Sequence, residues 1–462
     1  MTHQKDRTNR RGPGRAVLAT VALCAAVCGC STVERARKAQ AESGAELPRG
    51  ERTATPQEAG VAAGEVLELA RAVEVALEFH PAMAQAEQSL AQAEIAVRQA
   101  GASARPSASA SAGANRSESR RMEPGAKWRN SESLNTSISM SWMIYDFGAV
   151  KSGVARAVAN YRASAENHRN TGLQRVSQVR QAYFTVAQQE ALRGVREEAL
   201  RQSRLLLEQA ELKLEIGTGR RYDVTRARVE HSAAEYDLAL AGNAVATARV
   251  ALNAQMGFAE GVAFTLDPSV TLPDPPGDLD ELLAVARTNQ PALRVAAASV
   301  EAASAAVDQA VAALYPNLSL SGSLSYSVWP KPQSASFGIG GSFAQNLFSG
   351  WRRTDDVDAA VAQLRSARAQ QSLQEQQAAA DIATMLANLR SAREARAISA
   401  RQLQQAVENL ELATEQFNVG VSSILDRTSA LVSHTSASAN EVNARYALEI
   451  AKARMFALLG ME

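Results

Sequence analysis

An internal duplication constrains the fold of this 462-residue chain more than any other feature. The dipeptide His80-Pro81 recurs as Gln290-Pro291, and further prolines, glycines and aspartates recur at nearly the same offset. These later pairs are Pro106 with Pro316, Gly217 with Gly420, Asp223 with Asp426, and Gly257 with Gly460. A pattern that repeats at a fixed offset indicates a repeated structural unit. We therefore predict two copies of one arrangement, over residues 61–265 and 281–462, joined by a proline-rich linker at 266–280.

Each copy is predicted to contain a helix, two strands, a very long helix, a tight turn and a last helix. The first helix is expected over about 65–103, where apolar residues recur at every seventh position: Met83, Leu90 and Val97. The long helices are expected at about 149–216 and 352–416, and each would be roughly 100 Å long. In each copy the shorter helices together match the long one, as a cylinder of paired helices requires.

The two predicted strands of each copy alternate in polarity with a period of two. Apolar side chains on one face oppose serines on the other, which is typical of strands in an outer-membrane β-barrel. A soluble sheet with one buried face has the same period. The residues predicted to face lipid are Ile138, Met140, Trp142, Ile144, Leu318, Leu320, Leu324, Tyr326 and Phe343.

Four strands cannot close a barrel wide enough to conduct a solute, whereas three chains together would supply twelve. We therefore predict a homotrimer. The predicted fold class is mainly α-helical with a membrane β-barrel portion, in which a twelve-stranded barrel continues into a long helical tunnel.

The N-terminus is predicted to be a bacterial signal peptide at residues 1–29. A basic stretch precedes an apolar run at 16–29 that is too short to span a bilayer as a helix. Val27-Cys28-Gly29-Cys30 is similar to a lipobox, so we predict lipidation at Cys30, with residues 30–60 as a lipid-anchored, flexible leader. An ordinary cleaved signal with incidental cysteines is the alternative.

The composition argues against several other classes of protein. The formal net charge of +1 does not fit a nucleic-acid-binding protein. All three cysteines lie in the first 30 residues, which leaves none for a disulfide framework or a cysteine metal site in the rest of the chain. The sequence has no phosphate-binding loop of the Gly-x-x-x-x-Gly-Lys type, and His80 and His168 lack neighbouring Asp or Cys partners. We predict no enzymatic activity, no metal and no cofactor.

The ordered, duplicated set of motifs resembles the TolC family of outer-membrane efflux and secretion channels. The resemblance rests on Pro81, Pro106 and their counterparts, on the strand-to-helix segments 142–148 and 346–350, and on the turns that begin at Gly217 and Val419. It implies a passive exit duct in the outer membrane of a Gram-negative bacterium, with its helices projecting into the periplasm. The implied partners are outer-membrane lipid, a periplasmic adaptor and, through the adaptor, an inner-membrane ABC or proton-driven pump.

The resemblance also assigns site residues at the helical turns. It implies that Asp426 and Phe417, together with the repeat counterpart Asp223, narrow the periplasmic entrance. The turn residues implied to contact the adaptor are Gly217, Gly219, Gly420 and Ser422. The chain departs from some relatives, which place an arginine at Ser422, a second aspartate at Ser429 and a tyrosine at Phe417. Both aspartates also fit a purely structural role as helix caps.

Several alternatives remain open from the sequence alone. An export duct would serve either type I protein secretion or efflux of small molecules, and the motifs do not separate the two. A periplasmic adaptor or coiled-coil scaffold without a pore is the competing class. An adaptor normally has one helical hairpin between split β domains, whereas this sequence repeats the whole helix–strand–helix plan.

Overall fold

The computed structural model describes residues 36–37, 64, 66–120, 122–123, 125, 127–258, 264–267, 269–329 and 333–461. The predicted signal peptide at 1–29 and Cys30 lie outside these residues, as does nearly all of the predicted leader. Among the described residues, none of the helices combines the length and the apolar character that crossing a bilayer would require.

The order of elements repeats, as predicted. The first half contains β1 (Val66–Leu67), α1 (Leu69–Phe79), α2 (Pro81–Ala102), β2 (Ser107–Ser119), β3 (Arg129–Tyr145), α3 (Ala149–Glu215) and α4 (Arg221–Met256). The second half contains β4 (Thr265–Leu266), α5 (Leu279–Asn289), α6 (Pro291–Ala312), β5 (Asn317–Trp329), β6 (Ser334–Ala344), α7 (Arg352–Asn418) and α8 (Ile424–Leu459). The helices α3 and α7 have 67 residues each, and α4 and α8 have 36 each.

The single helix expected over 65–103 is wrong, because the chain breaks it at His80 and continues as α2. His80 has a ψ of 128°, and Gln290 at the equivalent break has a ψ of 118°. A residue before proline is driven out of the helical region by the proline ring, and the proline has no N–H to continue the helix. The same dipeptide position therefore ends a short helix in both halves.

The duplicated glycines pack against these breaks. Gly257 ends α4 at a φ of 90°, and a Cβ there would lie 3.0 Å from the Cα of His80. Gly460 ends α8 at a φ of 73°, and a Cβ there would lie 2.5 Å from the carbonyl oxygen of Asn289. Two features that are far apart in the sequence of each half therefore form one contact, which only glycine accommodates.

The four long strands form one antiparallel sheet in the order β2-β3-β5-β6. The strands β2 and β3 pair along a long hairpin, in which Ser107 lies opposite Ser141 and Ser117 lies opposite Ser131. The last strand, β6, ends at Ala344. A separate parallel pair joins β1 to β4.

The described contacts group the chain into two compact units. One contains residues 92–161 and 298–368, with the four-stranded sheet; the other contains the described parts of 48–91, 162–297 and 369–462. The second unit holds three clusters of buried apolar side chains. In the largest, the Tyr183 hydroxyl donates to the Leu67 carbonyl at 3.0 Å and accepts from the Asp267 backbone N–H at 3.2 Å.

Buried charged side chains of α8 form hydrogen bonds with the linker between the halves. Glu449 accepts the backbone N–H of Leu272 at 2.8 Å, and the Lys452 ammonium donates to the Leu272 carbonyl at 3.0 Å. The same ammonium lies 3.2 Å from Glu449 and 3.0 Å from Asp274. Burying a charge is costly unless it is paired and hydrogen-bonded, and here both charges are.

The contact between Gly460 and Asn289 leads to a stability prediction. Gly460→Ala combines an unfavourable positive φ with a steric clash, so we expect it to lower the free energy of unfolding by about 2 kcal/mol or more. Gly420→Ala has a φ of 81° but open space around a Cβ, so about 1 kcal/mol is expected. Thermal unfolding of both purified variants, followed by helical circular dichroism, measures the difference. Equal melting temperatures would contradict the packing role of Gly460.

Candidate functional site

The four-stranded sheet exposes one continuous apolar face. Leu324 pairs with Ile138 on one side and with Phe337 on the other, so these side chains form a row across three strands. Of the nine residues predicted to face lipid, eight are between 36% and 70% exposed, and Leu320 is partly exposed. An exposed apolar patch of this extent indicates an interaction surface for another chain or for a membrane.

A β-bulge changes the register at one end of this face. The pairing shifts between Met143 and Tyr145, so that Tyr145 lies opposite Leu318 and Ile144 is the extra residue. Partners directly opposite each other share a face of the sheet. Tyr145 therefore joins the row that the alternation assigned to Ile144, and sequence reasoning missed it because a bulge leaves no mark on the period of two.

The opposite face of the sheet is lined by serine hydroxyl groups that bond across strands. Their oxygens are 2.8 Å apart in the pairs Ser109–Ser139, Ser111–Ser137 and Ser319–Ser342, 2.9 Å apart in Ser107–Ser141 and 2.6 Å apart in Ser325–Ser336. A hydroxyl group both donates and accepts, so each pair is satisfied and still has capacity for water. This face is neutral and hydrophilic over these five pairs.

Aromatic residues and tight backbone turns join the sheet to the long helices. Asp146 accepts the backbone N–H of Gly148 at 3.1 Å and of Val150 at 2.6 Å, which caps the start of α3. Phe147 has a φ of 53° and stacks on Tyr315 with ring centroids 5.2 Å apart. A non-glycine residue held at positive φ is uncommon, and here the stacked ring and the cap hold it in place.

The turns that end the two long helices share one backbone geometry. In the first turn, residues 216–223, Thr218 and Gly219 donate their backbone N–H groups to the Lys213 carbonyl. In the second turn, residues 419–426, Val421 and Ser422 donate in the same way to the Gln416 carbonyl. Gly217 and Gly420 adopt the left-handed backbone conformation at φ values of 78° and 81°, which ends each long helix.

The two aspartates of these turns have different roles. Asp426 forms a capping box with Ser423: its carboxylate accepts from the Ser423 backbone N–H at 2.9 Å and hydroxyl at 2.7 Å. These bonds from Ser423 hold the pKa of the Asp426 carboxyl below its usual range. Asp223 also lies in the first turn of its helix, but Arg220 occupies the capping position there and provides no side-chain cap.

Phe417 is buried and lies between two cations. Its ring is 7% exposed and packs with Leu206, Val224 and Ile424. The Lys213 ammonium lies 3.8 Å from the ring centroid, and the guanidinium of the buried Arg427 lies 5.5 Å from it. Arg427 also donates to the side chain of Gln209. These contacts place Phe417 in the packing of α3, α4, α7 and α8 beside the two turns.

Lys213, Gln209 and the burial of Arg427 were not predicted from the sequence. The only available signal was position, since Lys213 and Phe417 lie within one helical turn of Gly217 and Gly420. Elsewhere, the His80 imidazole meets the Arg175 guanidinium at 3.0 Å, and burial together with Arg175 lowers the pKa of His80. Over the part of the chain that the structure describes, no three His, Cys, Asp or Glu side chains are grouped as a metal site would require.

Comparisons with known proteins agree with this architecture. The crystal structure of the outer membrane protein VceC from Vibrio cholerae superposes with a TM-score of 0.71 at 22% identity, over 85% of this chain and 96% of VceC. The Campylobacter jejuni CmeC outer membrane channel gives a TM-score of 0.74 at 17% identity, over 85% of each chain. The open state of the Neisseria gonorrhoeae MtrE outer membrane channel gives 0.71 at 23% identity, over 85% of this chain and 89% of MtrE.

At these identities the structural likeness shows a shared fold. A search of curated proteins by sequence found no match. The model of the outer membrane efflux protein family, however, matches residues 72–257 and 282–461, which together include most of both halves. The resemblance drawn from the duplicated motifs is thereby confirmed, and the chain belongs to the outer membrane efflux protein family.

Proposed function

We propose that this protein is the passive outer-membrane exit duct of a tripartite export system in a Gram-negative bacterium. Three chains would join their sheets into one twelve-stranded β-barrel, and their helices would form a tunnel in the periplasm. The observation that carries this proposal is the two-sided sheet, with an exposed apolar face opposite cross-strand rows of serine hydroxyls. Lipid would cover the apolar face, and the serine face would line a water-filled lumen.

The edges of the sheet support closure by sibling chains. With the order β2-β3-β5-β6, the strands β2 and β6 are left at the two edges of the sheet. Neighbouring strands alternate in direction, so β6 of one chain and β2 of the next would also pair antiparallel. Unpaired strand edges are not tolerated in a bilayer because no water is available to bond their N–H and C=O groups.

Two exposed helical stripes support the trimer independently of the sheet. On α4, Tyr222, Val229, Tyr236 and Val250 lie at positions separated by multiples of seven and are 64–68% exposed. On α7, Ile398 and Leu412 are more than half exposed at a spacing of two heptads, and Val419 continues the series just beyond the helix. Apolar heptad positions without a partner in one chain favour coiled-coil packing against another. We propose that α4 of one chain packs on α7 of its neighbour.

The helical turns are the proposed periplasmic end. Asp426 and Asp223 would place carboxylates at the entrance, with Phe417 supporting Asp426 through its contact with Arg427. Gly217, Gly219, Gly420 and Ser422 would meet a periplasmic adaptor, and an inner-membrane ABC or proton-driven pump would supply the energy. The duct itself would need no cofactor and catalyse no reaction. Both type I protein secretion and small-molecule efflux fit such a duct, and the secretome and drug sensitivity of a deletion strain would separate them.

The entrance assignment predicts the conductance of two matched variants. Asp426→Ala removes a carboxylate from each chain of the trimer, so we expect higher single-channel conductance and weaker cation preference in a planar bilayer. Ser423→Ala also breaks the capping box but keeps the carboxylate, so we expect conductance close to that of the wild type. If both variants changed conductance equally, fraying of α8 would be the cause, and the electrostatic role of Asp426 would be wrong.

The proposed interface predicts the oligomeric mass. Tyr236→Glu places an unpaired charge in each of three interfaces, which costs several kcal/mol when the charge is buried. We expect this variant to be largely monomeric in mild detergent by light scattering, whereas the wild type and the conservative Tyr236→Phe are trimers. A monomeric wild-type protein under these conditions would overturn the exit-duct proposal.

The proposed lipid anchor at Cys30 is tested by acylation. Cys30→Ser removes the thiol that would carry the lipid, so metabolic labelling with radioactive palmitate should be lost. Trimers should persist, because the sheet and the helical stripes that are proposed to hold them lie elsewhere in the chain. Labelling that remains in the variant would exclude Cys30 as the modified residue.

A further inference from the structure

The first and second turns share a backbone but present different side-chain chemistry. The backbone hydrogen bonds that close α3 and α7 correspond, as described above. At equivalent positions, however, the first turn has Arg220, Arg221 and Tyr222, whereas the second has Ser423, Ile424 and Leu425. The side chains also differ in exposure, because Arg220 and Arg221 are exposed whereas Ile424, the counterpart of Arg221, is buried.

The first turn has two exposed arginines, Arg220 and Arg221. Among the described residues, no hydrogen bond or ion pair joins the side chain of Arg220 or Arg221 to another group. The nearby exposed arginines of the same hairpin are paired: Arg204 with Glu208 at 3.0 Å and Arg228 with Glu211 at 2.7 Å. The unpaired cations of this hairpin end therefore lie at the turn itself, where the carboxylates of Glu215 and Asp223 likewise have no hydrogen bond or ion pair among the described residues.

Stability of the hairpin does not explain these arginines. Cations near the start of a helix oppose the helix dipole. Arg220 also occupies the position at which Ser423 caps α8, and it forms no side-chain cap for α4. Arg220 and Arg221 therefore destabilise the start of α4 relative to the residues at the same positions of the second turn. A favourable contact with an external anionic group would offset that cost.

The second turn exposes apolar side chains and has no charged residue before Asp426. Val419 and Val421 are 74% and 79% exposed, and Leu425 is also exposed. No Asp, Glu, Lys or Arg occurs from residue 416 to 425. The first charged residue is Asp426, whose carboxylate is already bonded to Ser423.

We propose that the two turns recognise different parts of their adaptor: the first turn binds an acidic helical-hairpin tip, and the second binds an apolar one. This inference rests on the proposed function. Carboxylates on the adaptor would pair with Arg220 and Arg221, since the guanidinium group binds carboxylates through two parallel hydrogen bonds. Charge complementarity of this kind selects among partners and accelerates their encounter more than it adds affinity. An adaptor with a basic tip would be rejected at the first turn.

Two synthetic antiparallel helical hairpins serve as probes. They share one sequence with an apolar turn and differ only at the tip, which carries two glutamates in one and two lysines in the other. With the detergent-solubilised trimer immobilised at 50 mM NaCl, we expect the glutamate hairpin to bind about tenfold more tightly than the lysine hairpin. At 500 mM NaCl the difference should fall to about twofold or less, because salt screens exposed charges.

Charge reversal of the turn provides the decisive comparison. In Arg220→Glu/Arg221→Glu the preference should invert, so that the lysine hairpin binds more tightly. Arg193→Glu/Arg204→Glu changes the net charge equally but lies along α3 away from the turn, and it should keep the wild-type preference.

Equal binding of the two hairpins to the wild type, binding of neither, or a preference unchanged by the turn variant would overturn this inference. Oligomeric mass and conductance are measured on the same preparation. A conducting trimer that does not discriminate between the hairpins overturns only the adaptor chemistry, whereas a protein that forms no conducting trimer overturns the proposed function as well.

Discussion

Cross-strand hydrogen bonding in the four-stranded sheet is the interaction on which the proposed channel depends. A shift of one residue in register would exchange the two faces of a strand and mix serines with the apolar rows. The serine pairs oppose such a shift, because hydroxyl groups such as those of Ser109 and Ser139 bond directly across strands. The serine pairs therefore line the polar face of the sheet, and they also fix the strand register that keeps this face polar.

The duplicated halves show how one backbone plan accommodates different chemistry. Gly257 and Gly460 repeat the same close packing against the residues before Pro81 and Pro291. A Cβ at either position would clash with backbone atoms, so both halves require glycine there. Capping is less constrained, because a helix start can be satisfied in several ways. Ser423 and Asp426 form a reciprocal cap on α8, whereas Arg220 leaves α4 without a side-chain cap. The divergence therefore lies at the turns, where the adaptor is proposed to bind.

Buried charges in the second compact unit have structural roles. Lys452 and Glu449 hold the backbone of Leu272 through both its N–H and its carbonyl, which fixes the linker along α8. Arg427 and Lys213 flank Phe417 and join α3, α7 and α8 near the two turns. In both places each cation has an acidic, carbonyl or aromatic partner.

The sequence by itself determined the duplicated order of elements, the two long helices, the alternation of the strands and the glycine-ended turns. These features follow from local periodicity and from residues with special backbone preferences, such as Pro81 and Gly420. Only the tertiary structure decided that Phe417 is buried, that Asp426 forms a capping box whereas Asp223 does not, and that Tyr145 lies opposite Leu318 in the row predicted for Ile144. Those outcomes depend on Lys213, Arg427 and a strand bulge. The residues that these groups contact are distant in the sequence, and no local pattern determines which distant side chains come into contact.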